Sequence, residues 1–227
     1  MALPEPNLYP PFNIVRLSHV EFGVKDLAKS RAFYVDTLGL QVTDETADTI
    51  YLRAMVERGH HCIVLKKSET SEARDLGFKV YDEAELDKAA AFFKGKGLPV
   101  EWVERPYQSH TFRTRDPHGI PLEFYSRMDR LPPIHQKYAL YKGVKPLRID
   151  HFNCFSPDVD ESVAFYNEIG FRVRNTPPTR KPAVSGPRGP IARAVYTTSP
   201  SPTVPARACI TRPSGCRRRS TSSICST

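Results

Sequence analysis

Past Glu168 the chain contains no aspartate and no glutamate. All 25 acidic residues lie before that point, whereas residues 174–227 hold 10 of the 33 basic residues. The formal charge of +8 therefore divides into −2 for residues 1–173 and +10 for residues 174–227. A near-neutral body with a basic tail does not support nucleic-acid binding by the whole chain. The five cysteines include no CxxC pair, and three of them (Cys209, Cys216, Cys225) fall in the basic stretch. That spacing excludes a zinc ribbon and argues against a disulfide framework. The Pro-rich start, Met1 to Phe12, has no basic segment followed by an apolar run, so a secretory signal is not expected. No apolar run approaches membrane-spanning length. These absences point to a soluble, cytoplasmic protein with no specific nucleic-acid or membrane partner.

What is present is strand-forming sequence in repeated units. Val15 to Val24 alternates apolar and polar residues, with His19 and Glu21 on one face. Asp26 is suited to cap a helix running through Leu27, Arg31, Phe33 and Tyr34, and Gly39 is placed for a left-handed residue after its end. Short strands are predicted at 41–44, 49–54 and 61–65. Leu76–Val80 opens a second unit, with a helix over Glu83–Gly97 whose stripe is Leu86, Ala89, Ala90 and Phe93. Strands follow at 100–103, 110–114 and 121–125, and Asp116-Pro117-His118-Gly119 reads as the turn between the last two. The fold class is α+β, built of βαβββ modules. The expected organisation is a flexible arm at 1–13, a domain of two modules at 14–126, a linker at 127–145, the start of another domain at 146–173, and a disordered tail at 174–227.

The third unit repeats the first. Ser18-His19-Val20-Glu21 matches Asp150-His151-Phe152-Asn153, and Asp26 and Ser30 match Asp158 and Ser162. Ala32-Phe33-Tyr34 recurs as Ala164-Phe165-Tyr166, and Leu38-Gly39-Leu40 as Ile169-Gly170-Phe171. The chain is thus a duplicated module. His19 reads as a packed core histidine faced by Glu123, with a relic metal site as the alternative. His151 reads as a metal ligand, with Asn153 on the same strand face. His60-His61 resembles a metal doublet, but strand neighbours point to opposite faces, so both are not expected in one site. His118 is expected to be exposed in its turn, and Trp102, Tyr138 and Tyr141 are read as packing residues.

Several stretches together carry a family likeness: Val24-Lys25-Asp26-Leu27, Phe33-Tyr34-Val35-Asp36, Ile50-Tyr51-Leu52-Arg53, Asp116-Pro117-His118-Gly119, Leu140-Tyr141-Lys142 and Arg148-Ile149-Asp150-His151-Phe152-Asn153. Residues 14–173 resemble the two-domain extradiol ring-cleaving dioxygenases of the vicinal oxygen chelate superfamily, and most closely those acting on 3,4-dihydroxyphenylacetate. The resemblance implies Fe(II), or Mn(II) in some members, held by two histidines and one glutamate with open positions for catechol and O2. It implies that His151 is the first metal ligand and that Asn153 lies near the oxygen site. It also implies a homo-oligomer.

The tail departs from that family. Its 54 residues include 9 Pro and 16 Ser or Thr. Read one base out of frame, Ala208 to Gly215 permits Val-His-His-Ala-Ala-Phe-Trp, and Tyr196 into Thr197 permits His-Asp. Both fit the family's order of motifs. The sequence reading is therefore a frameshift near Arg174, leaving one of three metal ligands and an inactive chain. Residues 146–173 are expected to pack poorly or borrow a surface. The alternative is a non-catalytic ligand- or partner-binding protein with a basic tail.

Overall fold

A strand places alternate residues on opposite faces, and β1 (Ile14–Val24) uses both. Val20 and Phe22 turn to an apolar core, and His19 and Glu21 turn to a polar interior. The computed structural model describes residues 4–172 and the backbone of residues 192–197 and 207–211. After β1 come α1 (Leu27–Arg31), β2 (Gln41–Glu45), β3 (Thr49–Arg53) and β4 (Ile63–Lys67). The second module repeats the order with β5 (Glu72–Val80), α2 (Glu83–Gly95), β6 (Glu101–Val103), β7 (Thr111–Arg115) and β8 (Pro121–Tyr125).

These strands form one eight-stranded sheet in the order β2-β3-β4-β1-β5-β8-β7-β6. Within each module the first and last strands are parallel, and the modules join where β1 and β5 pair antiparallel. The register across that seam sets His19 opposite Gly77 and Glu21 opposite Asp75. One sheet face is covered by α2, whose predicted stripe of Leu86, Ala89, Ala90 and Phe93 is buried against Leu76, Phe78, Val80, Leu122 and Phe124. The other face is the polar cup.

Capping follows the sequence. The Asp26 carboxylate accepts from Lys29 N at 2.8 Å and that of Asp82 from Glu85 N at 2.9 Å, each satisfying a helix-start N–H. Beyond Arg31 the helix widens into a π turn over Ala32–Thr37, and Leu38 N donates to Phe33 O at 3.0 Å. Gly39 then takes φ +85°, the left-handed value its position requires.

The linker is fastened to the first module. Val144 N and Lys145 N donate to the carbonyls of Thr37 and Leu38, and Met55 N and Val56 N donate to those of Pro146 and Leu147. Approach is so close that a Cβ on Gly143 would lie 2.1 Å from Thr37 O, and one on Gly39 would lie 1.9 Å from Lys142 O. Only glycine fits at both positions.

The third unit holds β9 (His151–Ser156), α3 (Val159–Glu168), β10 (Ala192–Thr197) and β11 (Arg207–Thr211). It borrows the helix-covered side of the second module. Phe165 packs on Phe93 at 6.1 Å between ring centroids, Phe171 on Phe78 at 5.7 Å, and the Tyr166 hydroxyl donates to Asp116 Oδ2 at 3.0 Å. Each buried phenyl ring contributes about 1.5–3 kcal/mol relative to exposure, which accounts for this docking. The segment expected to be a free arm joins it. Phe12 is fully buried, and Asn7 Nδ2 donates to Glu168 O at 2.8 Å. Within the stretch read as a disordered tail, the described residues form β10 and β11, with β10 antiparallel to β9. The remainder, 173–191, 198–206 and 212–227, lies outside the described residues. The wiring also differs from the earlier modules, in which the in-module partner of the first strand is parallel.

Candidate functional site

The cup is built by β1, β5, β7 and β8 from residues of the face turned away from the helices. His19 on β1 and Glu123 on β8 are both fully buried, and His19 Nε2 donates to Glu123 Oε1 at 2.9 Å. The expected facing of these two residues is therefore present as a buried hydrogen bond. Glu123 Oε2 accepts from Arg105 Nε at 3.0 Å. The Arg105 guanidinium also bonds Glu21 and lies 3.7 Å from Asp75. Arg113 Nη2 approaches Asp75 Oδ2 to 2.7 Å. Burial pushes the Glu123 carboxyl up, but the hydrogen bond from His19, the His19 charge and the Arg105 charge outweigh it, leaving it well below the ordinary value. Asp75 goes the other way: burial and the nearby Glu123 charge push it up to about 7, against the pull of both arginines.

The histidine doublet departs from the sequence reading. His60 and His61 precede β4 on an irregular bend, so the alternation of a strand does not apply. Both rings turn inward, and their Nδ1 atoms lie 3.3 Å apart. Gln108 donates its amide to Glu123 Oε1 at 3.0 Å, which turns Gln108 Oε1 toward His61 Nε2 at 3.2 Å. This network assigns the proton to His61 Nε2 and makes its Nδ1 the acceptor from His60. Burial, then the His19 and His60 rings, hold His61 well below the usual imidazole value, consistent with a neutral ring.

His60 stacks on Tyr107 at 3.6 Å with an interplanar angle of 8°, and the Tyr107 hydroxyl bonds Asp44 on β2. That bond raises the Tyr107 phenol to about 12. Tyr107 has φ +67°, uncommon for a bulky residue. The segment from Arg105 to Gln108 thus crosses from the second module into the first and fills the cup with three side chains. Neither the arginines nor this crossing was singled out in the sequence. The one available signal was that Glu21 shares a strand face with His19.

His118 also corrects the sequence reading. Its side chain is only 10% exposed, because α3 covers the turn and Glu161 Oε2 lies 3.4 Å from its Nε2. The turn itself is as expected: Asp116 Oδ1 accepts from His118 N and Ile120 N, and Gly119 has φ +85°.

His151 opens β9, opposite Thr197 of β10. Its side chain is 43% exposed, with Nδ1 3.2 Å from Asp150 Oδ2. Asn153 follows on the same exposed face. The outward face of β9 therefore carries His151, Asn153 and Phe155, while Phe152 and Ser156 are buried beneath.

Residues 16–124 match the Glyoxalase/Bleomycin resistance protein/Dioxygenase superfamily. The matched stretch spans the two N-terminal modules. The chain's curated relatives are extradiol dioxygenases. A manganese-dependent 2,3-dihydroxybiphenyl 1,2-dioxygenase of Geobacillus genomosp. 3 is 27% identical over 71% of this chain and 55% of that enzyme. A metapyrocatechase of Geobacillus stearothermophilus is 25% identical over 73% of this chain and 54% of that enzyme. The chain spans about half the length of these curated relatives. Among solved structures, homoprotocatechuate 2,3-dioxygenase from Arthrobacter globiformis superposes with a TM-score of 0.71 at 31% identity, covering 89% of this chain and 61% of that one.

Superfamily dioxygenases use a divalent metal, and the residues around His151 do not fit one. A Fe(II) site needs several ligands with open positions beside them. Among the described residues no group of three His, Cys, Asp or Glu could hold a metal ion. Beyond Glu168 the sequence supplies no further histidine or carboxylate. Among the described residues His151 is a half-exposed imidazole with one adjacent carboxylate, Asp150. Among the described residues no helix is long and apolar enough to cross a membrane.

Proposed function

We propose that this chain carries the scaffold of an extradiol dioxygenase of 3,4-dihydroxyphenylacetate, with catechol and O2 as the substrates of the intact form. In that reading His151 is the first ligand of Fe(II), or of Mn(II), and Asn153 lies beside the O2 position. The supporting observation is the internal repeat: His151 opens β9 where its counterpart His19 lies on β1, on a fold shared with homoprotocatechuate dioxygenase. With one matching ligand, this chain does not turn over the catechol. The cause we propose is a shift of reading frame near Arg174, which replaces the residues that would complete the site.

The test is direct. Purified full-length chain is mixed with Fe(II), O2 and 3,4-dihydroxyphenylacetate, and visible absorbance is followed. No ring-fission product is expected, and a yellow product would overturn the inactivity. Catechol binding without turnover, measured by calorimetry, would favour the non-catalytic ligand-binding reading.

A further inference from the structure

The β1–β5 seam sets like charges opposite each other twice. Toward the end of β1, Glu21 faces Asp75, and Arg74, Arg105 and Arg113 answer the carboxylates there. Near the start of β1, Arg16 faces Lys79. Like charges directly opposite on paired strands repel. Arg16 is held by Glu57 at 2.5 Å. Lys79 is half-buried, and among the described residues its ammonium joins no hydrogen bond or ion pair. Burial, then the Arg16 and Arg130 charges, hold it below the usual lysine value. The exposed guanidinium of Arg130 is likewise unpaired among the described residues. Arg53 adds a fourth cation from β3. Its Nη1 donates to the carbonyl of Pro132, two residues past Arg130, at 2.9 Å. Its charge and that of Arg16 both act on the Cys62 thiol. Arg53 is 6% exposed, its Nε is buried without a hydrogen-bond partner, and among the described residues no carboxylate pairs with it. A buried charge without a counter-charge is costly.

We infer that the Arg16–Lys79 end of the seam is a binding site for a phosphate group. Arg16, Arg53, Lys79 and Arg130 stand against two carboxylates, Glu57 and Asp129. Glu57 is engaged by Arg16, and the Asp129 charge acts on His60 and Tyr107. The surplus of two positive charges matches a phosphate near neutral pH, about −1.5 to −2. A single carboxylate ligand would leave one of them unanswered. The donors also suit it, since guanidinium forks and a lysine ammonium are the groups that hold phosphate oxygens. They come from β1, β3, β5 and the segment after β8, so they approach from separate directions. Arg130 lies at the exposed rim and Arg53 in the buried wall. A bound dianion would relieve both the Arg16–Lys79 repulsion and the uncompensated burial of Arg53.

The test titrates full-length chain by calorimetry with inorganic phosphate and, separately, with phenyl phosphate. Metal and catechol are left out, so the result is independent of the dioxygenase reading. One phosphate per chain is expected, and the tighter of the two ligands shows whether the site takes the free ion or a monoester. Lys79→Met and Arg130→Ala are each expected to weaken binding at least fivefold. Lys25→Ala, beyond the far end of β1, is expected to leave it unchanged. Arg130 is exposed and unpaired, so its variant keeps the test open if Lys79→Met does not fold. No saturable binding of either ligand at millimolar concentration overturns the inference. So does unchanged affinity in Arg130→Ala, or an equal loss in Lys25→Ala, which would mark diffuse surface attraction.

Discussion

Gly77→Ala is a one-methyl change with a large expected cost. Gly77 lies opposite His19 across the β1–β5 seam, and a Cβ there would meet the ring at 2.2 Å from Cε1, 2.3 Å from Nδ1 and 2.6 Å from Nε2. No real Cβ contact is that short, so the imidazole must leave its place. It is fully buried and bonded to Glu123, with no free space to receive it. Overpacking of this kind costs about 1–3 kcal/mol. Breaking the buried His19–Glu123 contact takes the total toward about 3–5 kcal/mol. Alanine restricts the unfolded chain, which offsets about 0.4–1 kcal/mol. The net loss is then about 2–4 kcal/mol, a large share of the roughly 5–15 kcal/mol of a whole domain.

Urea unfolding followed by circular dichroism measures it. The decisive comparison is the double-mutant cycle with His19→Ala. Once the ring is gone the added methyl has room, so Gly77→Ala should become nearly neutral. An equal penalty with and without His19 would refute the steric argument.

Asp75→Asn tests the electrostatics of the cup. A carboxyl raised from 3.8 to about 7 in the folded state favours folding while protonated. That contribution is full below the unfolded value and is lost as pH rises through about 7. Stability should fall between these limits in the parent, and the asparagine variant should flatten the fall. Glu123 has the opposite sign: its depressed value contributes stability above the unfolded 4.5, lost as pH falls below it. Glu123→Gln should therefore lessen acid sensitivity at the low end, read from thermal midpoints across pH. Phe171→Ala should cost about 3–5 kcal/mol by emptying a buried site and make residues 146–172 more sensitive to limited proteolysis. Gene sequencing over codons 170–227 should show a His-His pair in the shifted frame at 209–211. A stop codon in that frame within 180–220 would end the frameshift reading.

Much of the N-terminal fold is legible because its signals are local. The capping aspartates, the left-handed Gly39 and the Leu86–Phe93 stripe each depend on residues a few positions apart. The repeat adds the pairing of His19 with Glu123, since two modules of known strand order leave few ways to face one another. The rest of the cup is long-range. Arg105 meets Glu21 across 84 residues, and Tyr107 meets Asp44 across 63. Nothing in the spacing of charges announces such meetings. The His60-His61 reading failed because the alternation rule was extended two residues past the start of β4. His118 was misjudged because the surface that buries it is α3, and Phe12 because it packs on Phe92 and Phe93 of α2 and Phe124 of β8; both surfaces lie far along the chain.

The docked linker changes how the molecule resists being pulled apart. Residues 144–147 hold the first module by main-chain bonds, whereas α3 rests on the second. The chain therefore passes over the β1–β5 seam as a clasp, anchored on either side. Force that opens the seam must also strip Val144 from Thr37 or Phe165 from Phe93. The two modules and residues 146–172 should then fail in a single mechanical event rather than one after another.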